Sequence, residues 1–165
     1  MNRALQSTIH LGNLRILLVA IALGLLVYPF SASAALGDDV TSVQADQALM
    51  KGSLITIREK AYTVNEIKAP SGTVVREYVS PAGKIFAVAW QGPFIPNFRQ
   101  LFGAYFEQFS QAAHARSSNR PRIRGPLLVQ EPGLVVLSGG HMQSFFGKAY
   151  IPEMVPQGVR IEEIQ

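Results

Sequence analysis

Apolar stretches separated by short polar segments in the first half of the chain predict a run of β-strands. The stretches span residues 61–68, 73–79 and 84–90 and are rich in Val, Ile, Tyr, Phe and Thr, residue types that fit a pleated surface. The segments between them, residues 69–72 and 80–83, each place proline second and glycine fourth, as tight turns require. We therefore predict a three-stranded antiparallel meander.

The third of these strands is apolar on both of its faces. Large side chains at Phe86, Val88 and Trp90 alternate with smaller apolar ones between them. A strand that is covered on both sides has this pattern. We therefore place it at the centre of the sheet.

A helical spacing follows the meander. Between Phe98 and Ala113, apolar residues recur three and four positions apart, with polar residues on the opposite side, which is typical of an amphipathic helix. Asn97 precedes this stretch and can cap it. We predict one long helix here and expect its Phe-rich side to pack on one face of the sheet.

Two or three further strands are predicted after the helix. Residues 127–130 and 134–138 form a hairpin around a Pro-Gly pair suited to a type II turn, and another strand lies within residues 143–150. A weak alternation over residues 159–164 is compatible with an edge strand. The pattern predicts an α+β domain with an antiparallel sheet of five to seven strands.

The start of the chain has the pattern of a secretory signal peptide. Arg3 and Arg15 supply positive charge, residues 16–27 form an apolar run, and Ala32-Ser33-Ala34 matches the A-x-A cleavage pattern. The apolar run is shorter than the roughly 20 residues that a membrane-spanning helix needs. We therefore predict cleavage after Ala34 and no stable membrane span afterwards.

Composition limits the kinds of export signal and fold that the rest of the chain can have. The absence of cysteine excludes a lipid-modified bacterial export signal and any disulfide framework. The segment 35–165, about 131 residues, suits one exported domain that folds on packing alone. Its first part, residues 35–52, is either flexible or a short helix with Thr41 or Ser42 as N-cap.

Charge gives one candidate binding segment. Without Arg3 and Arg15 the net charge is about +2, too small to indicate nucleic acid or a membrane surface. Four arginines nevertheless lie close together after the helix: Arg116, Arg120, Arg122 and Arg124. They could bind an acidic partner, or they could form a solvated loop. No aromatic residues lie between them for stacking on bases, so we expect no nucleic-acid partner.

Catalytic candidates are weak. His141 follows Ser138 and two glycines, an arrangement that could supply a base, a nucleophile and backbone donors to an oxyanion. The nucleophile motif G-x-S-x-G is absent and no orienting carboxylate is evident, so a turn at the glycines is the alternative. Glu77, beside Arg76 within a strand, could contribute acid or base chemistry or serve the sheet structurally. Arg76 is itself a candidate binding residue, and as a neighbour of Glu77 it points to the opposite face of the sheet.

Neither a metal nor another cofactor is predicted. Only two histidines remain after the signal peptide, and they are far apart in the sequence, which is a poor basis for a metal site. Some aromatic residues could line a groove for a peptide or carbohydrate instead of the core. The ones placed to be exposed are Phe94, in a Pro-bounded loop, and the adjacent pair Phe145 and Phe146.

Three sequence strings carry a resemblance to a known family. They are R-E-Y-V at residues 76–79, F-A-V-A-W-x-G-P at residues 86–93 and S-G-G-H-M at residues 138–142. In these strings the chain resembles a family of small exported proteins of unknown function from Gram-negative proteobacteria. The resemblance implies a periplasmic or secreted single domain. It implies no catalytic residue.

These observations leave three hypotheses for function. The first is an exported, non-catalytic binding or accessory protein of the cell envelope, which holds an envelope protein or an acidic ligand. The second is a small periplasmic hydrolase or transferase centred on His141 and Ser138. The third is a structural envelope component that assembles through edge strands.

Overall fold

The computed structural model describes residues 36–119 and 125–165, all of which lie in one compact unit, Ala32–Gln165. Within these ranges the strands are β1 Ser53–Arg58, β2 Thr63–Lys68, β3 Val74–Val79, β4 Ile85–Gly92, β5 Leu127–Glu131, β6 Leu134–His141 and β7 Ser144–Tyr150. The α-helices are α1 Val43–Met50, α2 Phe98–Phe102 and α3 Phe106–Asn119. Short 3₁₀ turns span Val40–Ser42, Gly103–Tyr105, Pro152–Met154 and Ile161–Glu163.

The strands form one antiparallel sheet in the order β1-β2-β3-β4-β7-β6-β5. The strands β1 to β4 form one meander and β5 to β7 a second, and the two are joined where β4 pairs with β7, from Ala87↔Tyr150 to Gly92↔Phe145. Central β4 is buried from Ile85 to Trp90. The predicted α+β class, the antiparallel sheet and the central position of this strand are thus confirmed.

Both predicted proline turns are present. The Gly72 amide donates to the Ala69 carbonyl at 3.0 Å, and the Gly83 amide donates to the Ser80 carbonyl at 2.9 Å. Gly72 and Gly83 have φ angles of 89° and 78°, in the left-handed region that glycine adopts without strain. These hairpins fix the register of β2, β3 and β4.

One strand, β1, was not predicted from the sequence. β1 pairs with β2 along its whole length, from Ser53↔Lys68 to Arg58↔Thr63. Its β-branched residues fit a strand, but Leu54 and Ile55 are adjacent and apolar, so the two faces do not separate in the sequence. The first meander therefore has four strands and not three.

The predicted long helix is interrupted. Asn97 caps α2 as expected, since its side chain accepts from the amides of Arg99 and Gln100 at 3.1 and 3.3 Å. At Gly103, however, the backbone takes φ 47° and ψ −117°, and a 3₁₀ turn separates α2 from α3. The three- and four-residue spacing continues through this break, which is why periodicity alone did not reveal it.

Of the two alternatives for the segment before β1, a flexible segment or a short helix, the structure has the short helix. Ser42 is the N-cap residue of α1, although its hydroxyl donates to the Asp39 carbonyl and makes no capping bond. The Asp39 carboxylate accepts from the Thr41 amide at 3.1 Å and so caps the preceding 3₁₀ turn.

The end of the chain is not an edge strand, and that prediction is wrong. Residues Pro152–Met154 and Ile161–Glu163 instead form two 3₁₀ turns, and apolar residues of this segment enter a core cluster, with Ile164 only 1% exposed. A short stretch with isolated apolar positions can supply buried contacts without joining a ladder. We refer to residues 151–165 as the C-terminal tail.

Two hydrophobic clusters lie on opposite faces of the sheet. Along β4, Val88 and Trp90 belong to the first cluster, whereas Ala87 and Ala89 belong to the second. Alternate residues of a strand point to opposite faces. The first cluster also contains Phe102 and Phe109 of the helices. The second contains Ile164 and, at its margin, Val155, Val159 and Ile161 of the C-terminal tail.

Candidate binding groove

Polar contacts hold the C-terminal tail against the second face. The Lys148 ammonium of β7 donates to the carbonyls of Ile161 and Ile164 at 2.7 and 3.0 Å. The Tyr78 hydroxyl of β3 donates to the Gln165 carbonyl at 2.9 Å. Because these donors belong to strands on both sides of β4, the tail lies across the centre of the sheet.

A groove opens between the C-terminal tail and the strands β4, β7 and β6. Its cavity volume is about 360 Å³, within the range of small-molecule sites. Apolar surface comes from Leu137, Phe146 and Ile164, and polar groups come from Gln91, Ser144, Lys148, Glu162 and Gln165. We call this cavity the tail groove.

Glycines in the strands shape the tail groove. Gly139 of β6 pairs with Phe146, and a Cβ at Gly139 would lie 3.0 Å from the ring of Phe146. The missing side chain therefore makes room for the ring, which stays 44% exposed. Gly140, with φ 117°, packs against the Ser144 backbone and allows the hairpin that follows.

His141 and Ser138 are not brought together. They lie three positions apart on β6, whose pairing with β7 is continuous, so their side chains point to opposite faces. His141 is exposed, and its Nδ1 lies 3.1 Å from the Met142 carbonyl oxygen. The glycines between them form part of the β6–β7 hairpin, which was the alternative interpretation of this segment.

Glu77 lies in a sealed environment. It is 1% exposed on β3, and Asp46 of α1 is 0% exposed beside it. Burial and the hydrogen bond to the Asp46 carboxyl raise the pKa of Glu77 to about 9, because desolvation and a like charge both disfavour the ionised form. Gln100 of α2 donates to Asp46 Oδ1 at 2.5 Å. This carboxyl pair joins a helix to the sheet, and both side chains are buried.

Arg76 lies on the second face of the sheet. Its Nε donates to the Glu66 carboxylate of β2 at 2.8 Å, and its guanidinium also donates to the Gln165 carbonyl at 2.9 Å. Both side chains are roughly a quarter exposed. Arg76 is thus engaged with the sheet and the C-terminal tail, and it points away from Glu77 as the sequence predicts.

Phe94 lies beside a smaller, separate cavity. It is 60% exposed, as expected from its loop, and with Ile95, Pro96 and Met50 it lines a space of about 220 Å³. The buried hydroxyl of Thr73 fixes this loop, because it donates to the Phe94 carbonyl at 2.9 Å and accepts from the Phe94 amide at 3.2 Å.

The arginine segment is described only at its start. Arg116 is half-buried in the last turn of α3. Arg120, Arg122 and Arg124 lie outside the described residues, as do the predicted signal peptide and its cleavage site. An acidic partner at these arginines stays a prediction.

Comparison with known families shows which family the chain belongs to. A family model described as a protein of unknown function, DUF2844, matches residues 32–164. The chain belongs to the DUF2844 family. The match covers nearly all of the segment that the sequence analysis assigned to the exported domain. No curated protein and no solved structure matches the chain.

Two further findings concern the described part of this DUF2844 protein. Residues 36–119 and 125–165 contain no group of three His, Cys, Asp or Glu side chains placed to hold a metal ion. None of the helices in these ranges is both long and apolar enough to cross a membrane.

Most of the tail groove of the DUF2844 protein has no signal in the sequence. Phe145 and Phe146 were the predicted exposed candidates; both line the groove, but only Phe146 is exposed, whereas Phe145 is half-buried. The other feature of the sequence that could have indicated this groove is Lys148, a single charged residue within β7. The contribution of Ile164 and Gln165 had no signal, because it depends on where the C-terminal tail folds back.

Proposed function

We propose that this DUF2844 protein is an exported, non-catalytic binding protein of the bacterial cell envelope, with the tail groove as its ligand site. The observation that carries the proposal is the half-exposed Phe146 ring beside the Lys148 ammonium in a cavity of about 360 Å³. An exposed aromatic ring next to a fixed charge is typical of a binding surface.

The two faces of the sheet are covered to different extents. On the first face, the rings of Phe98 and Phe102 lie 4.9 and 5.9 Å from the Trp90 ring. We infer that the helices cover this face and complete the core. The second face is covered only in part by the C-terminal tail, which leaves room for a ligand beside it.

The groove chemistry indicates an amphipathic ligand with an oxyanion. Two of the three N–H groups of Lys148 are donated to tail carbonyls, and the third is available to a ligand oxygen. Leu137, Phe146 and Ile164 offer apolar surface to the rest of the molecule. The Glu162 carboxylate in the lining disfavours a ligand with several negative charges.

The proposed location rests on the start of the chain. The pattern of Arg3, Arg15, the apolar run and Ala32-Ser33-Ala34 supports export and cleavage after Ala34. The resemblance to exported proteobacterial proteins supports a periplasmic or secreted location in a Gram-negative bacterium.

Binding of anilinonaphthalene sulfonate, an aromatic molecule with one oxyanion, tests the groove. We expect one saturable site, measured by probe fluorescence. Phe146→Ser should weaken the affinity about tenfold, since it removes about 1.4 kcal/mol or more of apolar contact. Lys148→Gln should weaken it as well, because the ammonium is lost.

Phe94→Ser is the matched control, because Phe94 is also an exposed aromatic but lies at the other cavity. It should leave the affinity unchanged. Equal weakening by Phe94→Ser and Phe146→Ser would contradict the proposal, as would probe fluorescence that never saturates.

A further inference from the structure

The two edges of the sheet differ. At the β5 edge, α3 contacts the strand, and the Gln108 side chain donates to the Pro132 carbonyl in the β5–β6 turn at 2.9 Å. At the other edge, β1 pairs with β2 on one side, and no strand of the described residues pairs with its other side. An open strand edge presents backbone donors and acceptors to another chain.

The register identifies which groups of β1 are open. The Glu59 amide donates to the Tyr62 carbonyl at 2.9 Å in the β1–β2 turn. Hydrogen-bonded positions alternate along an antiparallel pair, so Ser53, Ile55 and Ile57 bond to β2. The N–H and C=O groups of the remaining positions, Leu54, Thr56 and Arg58, therefore point to the open edge.

The side chains of β1 do little to block pairing. Natural edge strands are usually protected by charges, proline or bulges, whereas β1 carries Arg58 as its only charge and contains no proline. Ile55 and Ile57 are 57% and 44% exposed on the same face. Both the backbone edge and this apolar pair are available to a partner.

We propose that two copies of this chain pair through β1, antiparallel and about a twofold axis at Thr56. Thr56 then faces Thr56 of the second copy, and Leu54 faces Arg58 of the second copy. All three open positions of each strand become hydrogen-bonded. The two seven-stranded sheets join into one continuous sheet.

A second copy fits this edge because β1 is complementary to itself. In this register Ile55 lies opposite Ile57 of the second copy, in a non-hydrogen-bonded pair where side chains approach most closely. The twofold axis repeats that apolar pair. A shift of two residues in either direction leaves one open position of each strand unpaired, so the centred register is favoured.

The dimer is expected to be weak. A single six-residue strand pair with two exposed isoleucines per copy buries less surface than the roughly 1,200–2,000 Å² of stable interfaces. We therefore expect a monomer–dimer equilibrium that depends on concentration. Sedimentation equilibrium of protein purified after expression of the full chain measures it.

Paired charge variants test the register. In Ile55→Lys/Ile57→Lys the new ammonium groups face each other across the axis, and dimer should be lost. In Ile55→Lys/Ile57→Glu each ammonium faces a carboxylate of the second copy, so dimer should return to within about tenfold of the wild-type affinity. Met142→Lys, at an 83% exposed residue outside β1, is the control and should dimerise normally.

Hydrogen exchange of the unmodified protein gives a test without mutation. The amides of Leu54, Thr56 and Arg58 should gain protection as concentration rises, while those of Ile55 and Ile57 are already protected in the monomer. A protein that stays monomeric up to millimolar concentration would overturn the proposal. Equal loss of dimer in both double variants would also overturn it, since the register would then be wrong.

Discussion

At the scale of single residues, the most unusual feature is the buried pair of Asp46 and Glu77. Two carboxyl groups with 0% and 1% exposure remain close only if one keeps its proton. Glu77 is the group that keeps its proton, because burial and the neighbouring Asp46 raise its pKa. The sequence singled out Glu77 because a carboxyl in mid-strand is unusual, but it gave no sign of Asp46 as the partner.

Glu77 should make stability depend on pH. Between the ordinary pKa of 4.5 and the folded value of about 9, the unfolded chain releases the proton while the folded protein keeps it. The free energy of unfolding therefore falls as pH rises through this window. Glu77→Gln removes the titration and keeps a donor for Asp46. The variant should be more stable than wild type at pH 8 by about 1 kcal/mol or more, measured by urea unfolding.

Glu153→Gln is the control for this pH effect, because Glu153 is exposed and should leave the slope of stability against pH unchanged. A Glu77→Gln protein with the wild-type slope between pH 5 and pH 9 would show that the proton resides elsewhere.

At the scale of elements, sequence patterns predicted best those turns and caps that are formed by residues close together in the chain. The hairpins at Gly72 and Gly83 and the cap at Asn97 depend on residues a few positions apart, and they were predicted. The strand β1 and the C-terminal tail depend on distant partners, so periodicity failed there. In β1, at the open edge, apolar residues lie on both faces, so apolar and polar positions do not alternate. In the C-terminal tail the buried residues are too sparse to form a pattern.

The break between α2 and α3 should depend on Gly103. Its φ of 47° and ψ of −117° lie in a region that only glycine adopts without strain. Gly103→Ala should therefore lower the free energy of unfolding by about 1–3 kcal/mol, although alanine has the higher helix propensity. Gln111→Ala, at an exposed position of α3, should change it by less than about 0.5 kcal/mol. Thermal unfolding of both variants distinguishes strain from propensity, and a stabilised Gly103→Ala would refute the explanation.

At the scale of the whole molecule, the sheet is two meanders joined by one strand pair. The sequence predicted three of the four strands of the first meander, and the β5–β6 hairpin and a further strand of the second, but it could not predict that β7 and not β5 lies beside β4. That choice brings Phe146 and Lys148 to the centre of the sheet, next to Gln91. The tail groove is a product of this long-range pairing, which explains why only its aromatic residues were anticipated.

Gly147 lies at the junction of the meanders, opposite Trp90. A Cβ there would overlap the Trp90 indole and the Leu137 carbonyl, so neither strand could keep its position. Gly147→Ala should cost about 1–3 kcal/mol in urea unfolding. Gly125→Ala, which meets open space, should cost little. Similar losses in the two variants would mean that the close approach at Trp90 is not limiting.

The first described residue relates the proposed export to folding. Leu36 is 2% exposed, and its amide donates to the Leu101 carbonyl at 2.9 Å, only two positions after the proposed cleavage site at Ala34. A protease needs its substrate as an accessible, extended segment, which a docked Leu36 would restrict. If the proposed leader is removed after Ala34, its removal should therefore precede the docking of Leu36, and cleavage would take place on a chain that has not finished folding.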